Sequence, residues 1–348
     1  MKYLSVLLLA MSFSAGASAK IWRVNNNAGV VADFTAFNTA VAAAAAGDTI
    51  HLEPSAVSYT TASITLTKRV IVIGPGYFLD PASTTEPFNA GLQAATKDAR
   101  LDFFRIGAGA DGSKFMGVVI QGSIYSNGAG NISFEKVYFS AGLYFENGTN
   151  DGYSFRKCIF NNSASLSAAG TAVITNLVAE NNIFIGGGYI TLANLSGSGN
   201  LFRNNSIIGG NAFVLPNTYI ANNIFGVGSQ CTFTNSTIKN NLFQITQTLP
   251  GTATGNNIGV NMGNVYVSGT ATTSLDARAA LKAGSPAIGA GLTVGTVISP
   301  DCGAYGATDP YRLSGIPNTP SIYALTVPVS IPSGSTSMNI TFSTRNNN

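Results

Sequence analysis

Charge is the scarcest commodity in this 348-residue chain: only 9% of residues are Asp, Glu, Lys or Arg, against about 25% in ordinary soluble proteins. The formal net charge is +3, and basic residues never cluster beyond pairs, so a nucleic-acid partner is not expected. There is one histidine, His51, and three cysteines, Cys158, Cys231 and Cys302. No CxxC occurs, which excludes a zinc site built from these residue types, and an odd cysteine count leaves at least one thiol unpaired. Residues 181–275 contain no Asp, Glu or His at all; their only charges are Arg203 and Lys239. No apolar run beyond the N-terminus is long enough to span a bilayer.

That N-terminus is a different matter. Lys2 precedes an apolar run from Tyr3 to Met11, and small residues follow down to Ala17-Ser18-Ala19. This is the pattern of a secretory signal over residues 1–19, cleaved after Ala19. The expected location is therefore secreted, cell-surface or periplasmic, with no transmembrane segment in the mature chain. Low charge with 39 glycines invites a reading as disorder, but 45% hydrophobic residues oppose it.

What the chain does have is a repeat. The pair Asn-Asn recurs inside apolar residues: "AENNIF", "FRNNSI", "IANNIF", "IKNNLF" and "TGNNIG", with the first Asn at 181, 204, 222, 240 and 256. Upstream the frame continues without Asn, with Lys136 in "SFEKVYF" and Lys157 in "SFRKCIF". A period near 20 residues signals a solenoid. The second position of the pair holds Val137, Cys158, Asn182, Asn205, Asn223, Asn241 and Asn257; two places on stand Phe139, Phe160, Phe184, Ile207, Phe225 and Phe243. The position before the pair alternates Glu135, Arg156, Glu180, Arg203, which in stacked strands favours this register. Short apolar runs such as "GLYFEN", "GYITLA" and "NAFVLP" lie between, separated by Gly, Asn and Ser. They read as strands of three to five residues.

These features define an all-β chain, a single-stranded right-handed parallel β-helix in which each strand pairs with its equivalent one coil away, about 4.8 Å distant. Asn tolerates left-handed backbone at a sharp corner, and its amide both donates and accepts. The second Asn of each pair, at 182, 205, 223, 241 and 257, is expected to point inward and form a stacked amide ladder. Cys158 shares that column and is expected to be buried. Cys231, about three coils further on, lies too far from it for a disulfide.

"FTAFNTAVAAAAAGDTIHLEP" reads as an amphipathic helix from about Asp33 to Ala46, stopped by Gly47, and then a strand. "ITLTKRVIVIGPGYFL" adds another strand and a turn. This entry resembles that of the pectate-lyase-like superfamily, in which a helix covers the open end of the solenoid and "AGDTI" begins the first coil. "AGSPAIGAG", "DCGAYG" and "DPYRLSGIP" resemble the closing segment of bacterial secreted β-helix repeat proteins. The resemblance spans about residues 21–315, so the β-helix with its cap is placed at 20–315. Residues 316–348 form a short C-terminal β extension of two strands, either capping the far end or serving as an attachment tail.

The resemblance implies cleavage of acidic polysaccharides, by lyases holding Ca²⁺ with clustered carboxylates or by hydrolases using several Asp and a His. The residues themselves support this poorly. Carboxylates are absent from the central coils, and acid–base work on a sugar needs them. Charges gather only in "KDARLDFFRIGAGADGSK" and the two coils after it. The candidate catalytic residues are Asp98, Asp102, Arg105, Glu135 and Arg156, on the expectation that some converge on one groove. His51 reads as structural. No cofactor and no metal are expected, Ca²⁺ entering only under the lyase alternative. The poverty of carboxylates favours a non-catalytic glycan-binding or adhesion module over a polysaccharide lyase or glycoside hydrolase, with a polysaccharide or cell-surface glycan as partner.

Overall fold

A computed structural model describes residues 19–161, 164–186, 190–211 and 213–347; most of the expected signal segment lies outside them. The chain forms an all-β parallel solenoid. Three sheets, of ten, eight and seven strands, run along its length, and all their pairings are parallel, in register except for one slip between Phe145 and Asn147. One coil shows the pattern. Ser133–Glu135 belongs to the ten-stranded sheet, Tyr138–Phe139 to the eight-stranded and Leu143–Asn147 to the seven-stranded. The next coil repeats it, with Phe134 opposite Phe155, Tyr138 opposite Ile159 and Leu143 opposite Leu166.

The corner between the first two strands explains the recurring pair. Its first residue is left-handed in every coil: φ is 54° at Lys136, 53° at Lys157, 55° at Asn181, 52° at Asn204, 57° at Asn222 and 51° at Asn240. Its second residue points inward and is fully buried at Val137, Cys158, Asn182, Asn205, Asn223 and Asn241. The amides form a ladder: Nδ2 of Asn182 donates to Oδ1 of Asn205, Asn205 to Asn223 and Asn223 to Asn241, each at 2.9 Å. Each Oδ1 also accepts the backbone N–H of the preceding rung. The last rung is Asn256, which accepts from Asn241 at 3.0 Å, and not Asn257, which is exposed. The final coil is one residue shorter than the spacing of Asn pairs suggests. Gly255, with φ 66°, takes the left-handed place and moves Asn256 inward.

A second left-handed column was not visible in the pairs. Gly112, Asn131, Gly152, Asn176, Asn217 and Asn235 all have positive φ and stand just before strands of the ten-stranded sheet. Each such strand is thus entered and left by a sharp turn, which keeps it three or four residues long.

Aromatic stacks fill the early coils. Phe115, Phe134 and Phe155 stack at 5.0 and 5.3 Å with rings within 14° of parallel. Phe139, Phe160 and Phe184 stack at 4.6 and 4.7 Å. Side chains at the strand repeat meet face to face, and each large ring buried this way contributes about 1.5–3 kcal/mol by removal from water.

Both ends differ from expectation. The helix covers only Phe37–Ala43 rather than 33–46. No side chain caps it; Asp33 instead accepts the Arg23 N–H at 2.8 Å, and Asp48 accepts that of Ala45 at 2.8 Å, holding both flanks in turns. Phe37, Ala40 and Val41 are buried in the main core. The first coil strand is Ile21–Val24, before the helix, paired with Thr49–Leu52.

The coils end near Asn257, the last residue bridged to a coil strand. The chain beyond it does not extend the stack to 315; residues 262–318 run back beside the coils. Asn240 donates to the Ala290 carbonyl at 3.0 Å, Asn222 to Leu292 at 2.9 Å, Asn204 to Asp301 at 3.3 Å, and Asn181 to Ala304 and Gly306 at 2.9 and 2.8 Å. Lys157 then pairs with Asp309, and Lys136 donates to the Ile316 carbonyl at 2.8 Å and to Asn318. This strap buries the outer apolar residues of the eight-stranded sheet: Tyr138, Ile159 and Ile183 pack with Ala304 and Tyr311, while Ile224 and Leu242 pack with Val265, Tyr266 and Cys302. Buried Asp276 anchors it, accepting from the Ser314 N–H at 2.7 Å and the Ala277 N–H at 2.9 Å; burial raises its pKa.

The extension beyond 316 forms an antiparallel pair, Ser321–Thr326 with Thr341–Arg345. It lies beside the first coils, not at the far end: Ala94 N–H donates to Ile322 at 2.8 Å, and Lys136 to the Asn347 carbonyl at 3.3 Å.

Candidate functional site

Alternation along a strand sends every second side chain outward. On the seven-stranded sheet one outward column reads Arg105, Tyr125, Tyr144, Ser167, Thr191 and Val214, each opposite the next. Its first half is aromatic and charged, its second half small. Tyr125 and Tyr144 stack at 5.2 Å with an interplanar angle of 25°, and Phe103 meets Tyr125 at 5.3 Å. All three rings are partly exposed. Gly142 shapes the strip: a Cβ there would stand 2.7 Å from the Tyr144 ring, so its absence lets that ring lie across the corner.

Polar groups frame the rings. The Arg105 guanidinium sits 4.8 Å above the Tyr125 ring and 5.6 Å from Phe103, within cation–π range. Its Nη1 pairs with Glu146 Oε2 at 2.5 Å. The Asn127 amide, oriented to satisfy both neighbours, donates to Glu146 and accepts from Arg105, each at 3.3 Å. At the other margin Gln121 Nε2 donates to Asp102 Oδ1 at 2.9 Å. The arrangement offers a ridge of partly exposed aromatic rings flanked by fixed donors and acceptors.

Of the five candidate catalytic residues, only Asp102 and Arg105 border this strip. Asp98 lies on the neighbouring face, bonded by Arg100 at 2.8 Å. Glu135 and Arg156 are opposite one another on the ten-stranded sheet, away from the others. Nor do they pair with each other: Arg156 turns to buried Glu180, which also takes Arg203 Nε at 2.9 Å. The five do not converge on one groove. Residues that sequence reasoning passed over are Phe103, Tyr125, Tyr144 and Gln121. The available signal was the shared position of the two tyrosines, one residue into "IYS" and "LYF".

A larger depression of about 800 Å³ lies between the first coils and the C-terminal strand pair. Ile73, Pro54, Pro75 and Ile322 line it, with His51 and Gln93 as its side chains capable of strong hydrogen bonding beyond hydroxyls. Burial lowers the His51 pKa, so the imidazole is neutral at pH 7. Among the described residues, no carboxylate lines that depression.

The thiols are inert. Burial pushes Cys158 and Cys302 up to about 12 and Cys231 up to about 11; all three are free. Among the described residues, no three of His, Cys, Asp and Glu gather closely enough to hold a metal ion, and no helix is long and apolar enough to cross a membrane. No protein-family model matches the chain, and comparison with curated proteins returns no match.

Proposed function

We propose that the chain is an exported β-helix protein of the pectate-lyase-like kind that binds a glycan without cleaving it. The contact surface is the Phe103–Tyr125–Tyr144 strip. The observation that carries this reading is the cluster of three partly exposed rings, Tyr125 stacked on Tyr144 and Phe103 tilted against Tyr125, with Arg105, Glu146, Asn127, Gln121 and Asp102 at its margins. Partly exposed aromatic rings pack against the apolar C–H groups of a sugar, and planar amide and carboxylate groups bond its hydroxyls. The rings sit on paired strands, so their positions are fixed before the ligand arrives, which lowers the cost of binding. The N-terminal signal pattern supports export to the surface or the medium.

Affinity electrophoresis of the mature protein through gels containing soluble polysaccharides tests it. Wild type is expected to be retarded by at least one glycan, and Tyr125→Ala with Tyr144→Ala to abolish that retardation. Product assays on the same polysaccharides, with and without Ca²⁺, belong to the test. Unsaturated ends or new reducing ends, lost on Asp102→Asn or Arg105→Ala, overturn the non-catalytic reading in favour of a lyase or hydrolase.

A further inference from the structure

The surface beside the strip carries a second cavity. Leu101, Ile120, Phe139 and Phe160 are opposite one another in the eight-stranded sheet. The residues just after them, Asp102, Gln121, Ser140 and Asn161, therefore form one column at the corner between the eight- and seven-stranded sheets. Asn161 Nδ2 donates to the Tyr138 hydroxyl at 2.8 Å, and that hydroxyl donates to Glu86. Glu86 opens into a cleft of about 310 Å³ lined also by Ser83, Thr84, Thr85, Phe88 and Thr272. Phe88 is 39% exposed, and the other named lining groups are hydroxyls. The Tyr138 ring beneath is packed at 5.0 Å from Phe78 and 5.7 Å from Tyr77, so Glu86 is held by a rigid partner. From Phe103, through the corner column, to Phe88 the surface alternates aromatic rings with hydroxyl, amide and carboxyl groups.

Its acids outnumber its free cations. Three cations of this face are in ion pairs: Lys97 with Asp80, Arg100 with Asp98 and Arg105 with Glu146. Asp102 and Glu86 have no such partner among them; Asp102 is bonded by an amide and Glu86 by a phenol. A carboxylate, sulfate or phosphate on a ligand meets two acids here that stand outside any ion pair, while Lys97, Arg100 and Arg105 are each held by a carboxylate and Arg278, beside Thr272, is turned to the Thr273 carbonyl. Burial raises the Glu86 pKa, and the Asp98 charge adds to the rise, so Glu86 is a better hydrogen-bond donor than an ordinary carboxylate as pH falls.

We infer that the strip and the Glu86 cleft form one continuous glycan site, with Phe88 serving a further sugar unit, and that this site selects uncharged glycans over uronate-containing ones. This rests on the glycan reading above, and it runs against the acidic polysaccharide that the family resemblance implies.

Titration calorimetry of the mature full-length protein separates the two. The probes are soluble neutral polysaccharides, a β-glucan, a xylan and a mannan, against polygalacturonate and alginate, at low and high salt. At least one neutral glycan is expected to bind tenfold or more tightly than either uronate, with little dependence on salt. Phe88→Ala is expected to weaken that binding several-fold, and Asp102→Asn to raise uronate affinity by a similar factor. Uronate binding tighter than neutral binding, and falling with salt, overturns the selectivity while leaving the glycan reading intact. Unchanged affinity in Phe88→Ala removes the cleft from the site. Because Phe88 is exposed and Asp102 partly so, both variants are expected to keep the wild-type circular dichroism spectrum, which is recorded alongside. Silence toward every probe ends both the glycan reading and this inference.

Discussion

The early coils, residues 114–160, and the later ones, residues 178–257, turn the same corner with different residues. In the early half the left-handed position is Gly117, Lys136 or Lys157 and the inward position is Val118, Val137 or Cys158; in the later half both are Asn until Gly255 takes the left-handed place in the last coil. The inward position thus accepts either an apolar group or an amide, provided its neighbours agree. Val137 and Cys158 are buried apolar members of the main core. From Asn182 on, amides take that position and bond to one another, while the aromatic stack continues beside them through Phe202, Phe225 and Phe243. The outward, left-handed position is less free. It needs a residue that tolerates positive φ, which Gly117 and Gly255 supply; Asn tolerates it and also reaches a carbonyl of the strap. Lys does so at a backbone cost of roughly 1–2 kcal/mol, offset by its ion pair or carbonyl bonds to the strap.

The sharpest way to break this comparison is in the early half. Phe155→Ala removes the ring between Phe134 and Phe160 and is expected to cost about 4 kcal/mol in urea unfolding. In the later half, Asn205→Ala leaves the Asn182 backbone N–H and one of its two Nδ2 hydrogens without an acceptor, the other staying on the Phe155 carbonyl; the expected loss is about 3 kcal/mol, since buried groups left without partners cost roughly 1–3 kcal/mol each. If Asn205→Ala proves neutral, the ladder is filler and not structure.

Lys136 probes the strap. Burial, with the Lys157 charge adding, lowers its pKa from 10.5 to about 8. Between those values the unfolded chain binds more protons than the folded one, so stability rises with pH through that window. Lys136→Met is expected to flatten this rise by about 2–3 kcal/mol, read as the difference between the two stability–pH curves from pH 7 to 10. The smallest effect sharpens the comparison. Cys158 N–H already donates to Asn182 Oδ1 at 2.9 Å, and its Sγ lies 3.3 Å from the Phe134 carbonyl. Cys158→Asn offers its amide to the same two acceptors and extends the ladder by one rung, so its stability is expected to stay within about 1 kcal/mol of wild type.

The parts of this fold that were legible in the sequence are those where backbone geometry narrows the choice of residue. A left-handed corner followed by a buried rung admits few side chains, so the pairs from Asn181 to Asn241 stand out. The same rule misled at the end, where Gly255 satisfies the backbone equally well and displaces the pattern by one. The strap was not legible because it is recognised through its main chain: the Ala290, Leu292, Asp301, Ala304 and Gly306 carbonyls carry no side-chain signature. The tyrosine strip was hidden for the opposite reason. Outward positions of a strand are weakly constrained by the fold, so Tyr125 and Tyr144 recur without forming a long column. Charge drew attention instead, and it drew it equally to Arg105, which borders the strip, and to Arg156, which only stabilises a strand register.

The reversed course of the strap changes how the molecule holds together. In a plain stack of repeats each coil is stabilised by its two neighbours alone, so the ends are free to fray. Here a single covalent segment ties residue 240 at one end to residue 136 toward the other. Loosening any coil between them disturbs a tether shared by all. Made after the coils it covers, this segment acts as a zip fastener, closed backward over turns already wound, and it converts a row of separable rungs into one cooperative body.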